Sequence, residues 1–161
     1  MKQHTLPNCF HVPAGKDRDG EHQRKIWGLI PLATKVSSKD TGGSLYIFEH
    51  RNMGKGGPPK HVHHDQDEWF YVIAGEFAVE VGDQKYRLKP GDSLFAPRRV
   101  PHAWAHIADT PGTIITIASP ADTFETFLVD TTKHPTLPSE QEIANAFAAH
   151  NMTVVGPPLA I

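Results

Sequence analysis

The chain has 161 residues, a formal net charge of −2 and a single cysteine. That length suits one domain around one core, and the near-neutral balance argues against nucleic acid or an anionic membrane as partner, since such partners select a basic patch or tail. No apolar run is long enough to span a bilayer or to form a signal-peptide core, and the lone Cys9 has no internal disulfide partner, so a cytoplasmic protein in a reducing compartment is expected.

Residues 1–25 are polar and are expected to form a loose arm. From residue 26 to about 120 the chain runs in short β-rich segments, among them IWGLIPLATKV, SLYIFEH, KHVHH, EWFYVIAG, EFAVEVG, DSLFAP, PHAWAHI and GTIITIAS. Between them lie turn signals such as Gly42-Gly43, Gly56-Gly57-Pro58-Pro59, Gly82-Asp83 and Pro90-Gly91-Asp92, at the spacing of an antiparallel sandwich or barrel. In EFAVEVG, Phe77, Val79 and Val81 share a face opposite Glu76, Ala78 and Glu80. Gly82-Asp83 then reads as the tight turn of a hairpin. Residues 121–161 change character. Ser139 and Glu142 make a capping box ahead of an amphipathic helix carrying Ile143 and Phe147, and ADTFETFLVD suits a second short helix. The chain is therefore read as all-β, an antiparallel barrel with a short helical C-terminal tail.

The stretch HVHHDQDEWFYVIAG, residues 61–75, carries the chemistry. On a strand His61 and His63 point to one face, about 6–7 Å apart, while His64 points away. The pair alone is weak, because 11 histidines give about one H-x-H by chance. What strengthens it is Glu68 at the head of the next apolar run and His102 at the start of another alternating strand. If that strand pairs beside the first, the His102 ring reaches the same point. Three imidazoles and one carboxylate make a sound site for one divalent first-row transition metal, Fe, Mn, Ni, Co, Cu or Zn, with positions left open for water or substrate. His64, Asp65 and Asp67 are expected to face solvent in a turn, and Arg98 and Arg99 to be loop charges.

These residues resemble the cupins. The first cupin motif is met by His61-x-His63-x4-Glu68-x6-Gly75, with its leading glycine displaced to the flanks of Lys55, at Gly54 and Gly56. The second is met by Gly91-x5-Pro97 and His102, with Arg99 where glycine is expected and His106 where asparagine is expected. Arg99 puts a left-handed turn in question at that point. The resemblance implies a jelly-roll barrel of six or more strands with His61, His63, Glu68 and His102 on the metal. Within the superfamily the resemblance favours small single-domain quercetin-dioxygenase-like proteins, and the tail Val154-Val155-Gly156-Pro157-Pro158-Leu159 is similar to theirs.

Several further expectations follow. Phe70, Val72 and Trp104 are read as walls of a substrate pocket, or else as ordinary barrel core. His106 is either a hydrogen-bond partner of a ligand or a packed core histidine. Tyr46, Glu49 and His50 lie on a strand whose inner face the sequence leaves open. Glu68 either stays on the metal or acts as a base. The leading function is a metal-dependent dioxygenase acting on a small phenolic or enolisable substrate. A sugar or keto-acid isomerase or epimerase and a non-catalytic small-molecule binder are the alternatives. A homodimer is also expected as an option, through pairing of the N-terminal run IWGLIPLATKV with an edge strand of a second copy.

Overall fold

A computed structural model of the chain describes residues 9–20 and 24–161. Among them the order is β1 (Arg24–Ile26), β2 (Ile30–Val36), a 3-10 turn (Ser38–Thr41), β3 (Tyr46–Met53), β4 (Pro59–His63), β5 (Asp67–Ala74), β6 (Phe77–Val81) and β7 (Gln84–Leu88). There follow β8 (Ser93–Ala96), β9 (His102–His106), β10 (Gly112–Ser119), α1 (Phe124–Thr131), α2 (Glu140–Ala148) and β11 (Met152–Pro158). Every strand pairing is antiparallel. A six-stranded sheet, β1-β2-β3-β10-β5-β8, faces a five-stranded one, β11-β4-β9-β6-β7, giving a jelly roll with a short helical tail. No helix of the described residues is long and apolar enough to cross a membrane.

Alternation sets which side chains enter the barrel. Phe77 and Val79 of β6 are buried while Ala78 and Glu80 are partly exposed, and β6 turns into β7 through Gly82-Asp83, with Val81 opposite Gln84. On β3 the inner row is Tyr46, Phe48 and His50, whose rings stack or meet edge-on in succession at 4.9 and 5.3 Å. Glu49, on the opposite face of that strand, is tied to Arg51 at 2.7 Å.

The inward side chains form two clusters. The lower one fills the barrel with Phe70, Val72, Phe77, Val79, Trp104 and Ile114, among others, drawn from both sheets. The upper one closes the barrel mouth and joins Trp27, Leu32, Tyr46 and Phe48 to Phe124, Phe127, Leu128 and Phe147 from the tail. The tail helices start where the sequence says they should. Ser139 accepts from the Glu142 amide, and the Glu142 carboxylate accepts from the Ser139 amide at 2.8 Å, closing the box ahead of α2.

Three features depart from the sequence reading. The run from Ile26 is not one strand, because β1 and β2 are folded into a hairpin over Trp27–Leu29. Part of the expected loose arm is pinned: Asp17 accepts from the Arg24 side chain at 2.7 Å and the Thr34 amide at 3.0 Å, and the Arg18 amide bonds the Thr34 carbonyl at 2.7 Å. Residues 1–8 and 21–23 of that arm lie outside the described residues. Finally, the tail ends in a strand. β11 takes an edge position against β4, where prolines are tolerated because an edge amide can face away from the ladder, and register shifts at Gly156 and Pro158 mark the irregularity.

Candidate metal centre

His61 and His63 alternate inward on β4, and His61 is the direct register partner of His102 on β9. Glu68 comes from β5, in the opposite sheet. The site is therefore stitched across the barrel, three imidazoles from one sheet and a carboxylate from the other. One ligand atom from each of the four lies within 4.8 Å of all the others. The His61 and His63 Nε2 atoms are 3.1 Å apart, the His102 Nε2 is 2.8 Å from Glu68 Oε2, and the His63 Nε2 is 3.4 Å from that same oxygen. All four residues are buried, with 1–4% of their surface exposed.

The outer face of each ring fixes its tautomer. His61 Nδ1 donates to the Pro59 carbonyl at 2.7 Å, and His102 Nδ1 donates to the Val100 carbonyl at 3.3 Å. His63 Nδ1 donates to Gln66 Oε1 at 3.2 Å, and the Gln66 amide donates in turn to Asp122 at 3.2 Å. With Nδ1 protonated, each neutral ring turns a lone pair on Nε2 toward the centre. Burial, followed by the neighbouring histidines, pushes the His61 pKa well below its usual value, and burial lowers that of His63. Burial works against the Glu68 carboxylate, but the positive charge that His63, His102 and His61 carry when protonated, with the bond that His102 then donates, outweighs it and holds the carboxyl down to about 2.

That donor set tests itself. Two neutral imidazoles cannot hydrogen-bond to each other through Nε2 when both protons sit on Nδ1, so the 3.1 Å approach of His61 to His63 sets lone pair against lone pair. A cation at the focus of the three nitrogens and the carboxylate turns that repulsion into ligation. The residues fit a divalent first-row metal of the N3O type.

The remaining expected residues fall elsewhere. His64 stays off the cluster but is not merely solvated, since its Nε2 lies 2.8 Å from Thr153 Oγ1 on β11. Asp67 forms a two-pronged pair with Arg98 at 3.1 and 2.8 Å, and the Arg98 amide bonds it at 2.8 Å, so neither is a free loop charge. Asp65 pairs with Asn151 and lies 4.0 Å from Arg99. Phe70, Val72 and Trp104 belong to the packed lower core and not to an open pocket wall. Trp104 stacks on His50 at 5.3 Å, and Phe70 meets the His102 ring edge-on at 6.3 Å. His50, inside that packing, donates from Nδ1 to the Pro31 carbonyl at 2.6 Å, and burial lowers its pKa to about 4.

His106 is the packed histidine of the two options. Neither ring nitrogen has a hydrogen-bond partner among the described residues, so the ring does not orient a ligand. It lies 5.1 Å from the Phe77 ring, between Gly75 and Gly112. A Cβ on Gly112 would come within 2.3 Å of the imidazole, so that position has room for hydrogen only.

Sequence reasoning passed over two sets of residues. Gln66 was one polar residue in an expected turn, yet it is buried and orients His63. The other set is the aromatic cover: Phe124 sits edge-on to His63 at 4.8 Å and Phe147 edge-on to His61 at 5.1 Å. The period of α2 signalled that Phe147 would be buried, but not against what.

Comparison with known proteins agrees with this geometry. A family model described as a cupin domain matches residues 49–118. A quercetin 2,3-dioxygenase of Bacillus subtilis is 31% identical over 88 residues, 54% of this chain and 26% of that enzyme. An oxidoreductase of Arthrobotrys oligospora is 40% identical over 55 residues, 34% of this chain and 21% of that one. The chain thus spans about a quarter of the bacterial enzyme's length and about a fifth of the fungal one's. Among solved structures, an RmlC-like cupin from Shewanella frigidimarina superimposes with a TM-score of 0.54 at 27% identity, covering 72% of this chain and 96% of that one. With two facing antiparallel sheets, both motif halves and the match over the barrel strands, the chain belongs to the cupin superfamily.

Proposed function

We propose that the protein is a metal-dependent dioxygenase of quercetinase type, taking a small phenolic or enolisable substrate at the His61–His63–Glu68–His102 cluster. The observation that carries this reading is the convergence of three buried imidazoles and one carboxylate within 4.8 Å, each imidazole anchored from behind. Similarity to the Bacillus quercetin 2,3-dioxygenase and to a fungal oxidoreductase supports the class of chemistry.

A first-row metal held there supplies a Lewis acid for adjacent substrate oxygens and, where redox-active, an electron path to O2. The chain's own residues set the conditions. The carbonyls of Pro59 and Val100 and the Gln66 side chain keep the three rings from rotating. Glu68 presents Oε2 at the centre, where it serves as a ligand or takes up a substrate hydroxyl proton. Phe124 and Phe147 keep bulk water from the cluster, which strengthens every electrostatic interaction inside it.

Elemental analysis of the native protein, followed by an oxygen electrode with flavonols and catechols, tests the proposal. His61→Ala and His102→Ala are expected to take metal content from about one ion per chain to near zero, while His64→Ala keeps it. Oxygen uptake matched to substrate loss is the expected result. Anaerobic turnover of a sugar or keto acid, or tight binding without turnover, would overturn it.

A further inference from the structure

Beside the barrel mouth lies a cavity of about 640 Å³, bounded by the β1–β2 hairpin, the start of β4, both tail helices and β11. Its walls include Trp27, Pro59, Leu137, Ile143, Phe147 and Val154. Among the described residues lining it, the one charged side chain is Glu140, which is exposed at the start of α2. None of the four cluster residues lines it. Phe147 does, and the same phenyl ring is in edge contact with His61. The Phe147 ring therefore borders both the cavity and the candidate metal centre.

We infer that this cavity is a binding chamber for a neutral aromatic molecule of two or three rings, and that Phe147 is the partition through which the chamber communicates with the cluster. The direction of approach rests on the function proposed above; the occupant is argued from the walls. The volume falls in the ordinary range of small-molecule pockets, roughly 300–1,000 Å³. A sugar would leave several hydroxyls without partners against these walls. An anion would find no buried cation to pair with. A flat aromatic finds Trp27, Phe127 and Phe147, whose rings already meet one another at 4.8–6.5 Å in edge-on and tilted arrangements that a further ring can join. Phe147 then acts as a specificity-determining residue: its ring must swing for the oxygen-bearing edge of a ligand to pass His61.

Indole is a suitable probe, neutral, bicyclic and without a free lone pair for a metal. Calorimetric titration into metal-free protein is expected to show binding that Ile143→Trp, which fills the chamber, weakens by about tenfold or more. Ile73→Trp, on the exposed outer face of β5, is expected to leave it unchanged. In the metal-loaded wild type, saturating indole is expected to slow removal of the ion by a chelator. Phe147→Ala is expected to speed that removal by about tenfold, with Phe147→Leu between the two. Indole affinity indifferent to Ile143→Trp, or ion removal indifferent to both indole and residue 147, would overturn the inference. So would loss of indole binding with rising protein concentration alongside a dimer in sedimentation, which would give the face, with its exposed Leu29, Leu137 and Val155, to a second copy. Indole binding is read without metal or oxygen, so the chamber and the dioxygenase reading fail separately. A protein that consumes oxygen yet binds no indole loses only the chamber, and one that binds indole in the chamber yet consumes no oxygen loses only the reaction.

Discussion

The two clusters inside this barrel are built on different principles. The lower core, around Phe70, Phe77 and Trp104, is filled by strands whose alternation specifies it locally: every second residue enters, and register does the rest. The upper core owes half its mass to the tail, where Phe124, Phe127 and Phe147 fold back across the mouth onto Tyr46, Phe48 and the ligand rings. The cluster of His61, His63, Glu68 and His102 lies between a rigid floor and a cover brought from far along the chain. A floor held by ladder hydrogen bonds fixes ligand geometry, whereas a cover held by helix packing can open without unfolding the barrel.

Truncation should separate the two. Phe70→Ala leaves a cavity in the floor and is expected to lower global stability by about 3–5 kcal/mol, read by denaturant unfolding. Phe124→Ala removes a ring from the cover. It is expected to speed hydrogen exchange in α1 and α2 while the protection of β5, β6 and β10 stays as in the wild type. If Phe124→Ala loosens floor and cover equally, they are one cooperative unit and the distinction is lost.

A polar thread joins the tail to the cluster, from Asp122 at the head of the tail through Gln66 to His63. Gln66→Leu cuts it while preserving bulk. The ring of His63 then loses the bond that sets its tautomer, and metal affinity is expected to fall about ten- to a hundredfold by chelator competition. The far-ultraviolet circular dichroism should be unchanged. Asp122→Ala, which leaves Gln66 in contact with His63, is expected to have the smaller effect. Equal metal affinity in Gln66→Leu and wild type would show that β4 alone orients the ring.

How much of this was legible in the sequence follows the same division. The barrel, the Gly82-Asp83 hairpin and all four cluster residues come from short-range signals: period-2 alternation, turn residues and motif spacing. What the sequence hid depends on contacts between distant segments. Asp17 reads as one charge in a polar arm, and its burial against Thr34 requires the β2 strand to be in place. β11 carries Gly156, Pro157 and Pro158, which local propensity counts against a strand; only an edge position beside β4 admits them. Gln66 sits among acidic residues that do face outward, and nothing in its neighbours marks it as buried. Phe70, Val72 and Trp104 were placed on the correct face, but a face does not reveal whether it borders a cavity or packed atoms.

The smallest expected effect concerns the one motif position that put a backbone conformation in question. Arg99 stands where the cupin pattern has glycine, and the chain nevertheless adopts the left-handed geometry, with φ of 65°. The reason is visible: its amide donates to the His63 carbonyl at 2.7 Å, holding the β8–β9 loop against the ligand strand, and that bond requires the turn. An L-residue with a Cβ in this region costs about 1–2 kcal/mol. Against that, glycine would give up the 3.3 Å bond from Arg99 Nε to the His64 carbonyl and gain backbone freedom in the unfolded chain. The Arg99 side chain is largely exposed, so its lost contact is worth little. Arg99→Gly is therefore expected to stabilise the protein by about 0.5–1 kcal/mol in denaturant unfolding, with metal content unchanged. A destabilisation of similar size would mean that the side chain, and not the backbone, is what ties this loop to the ligand strand.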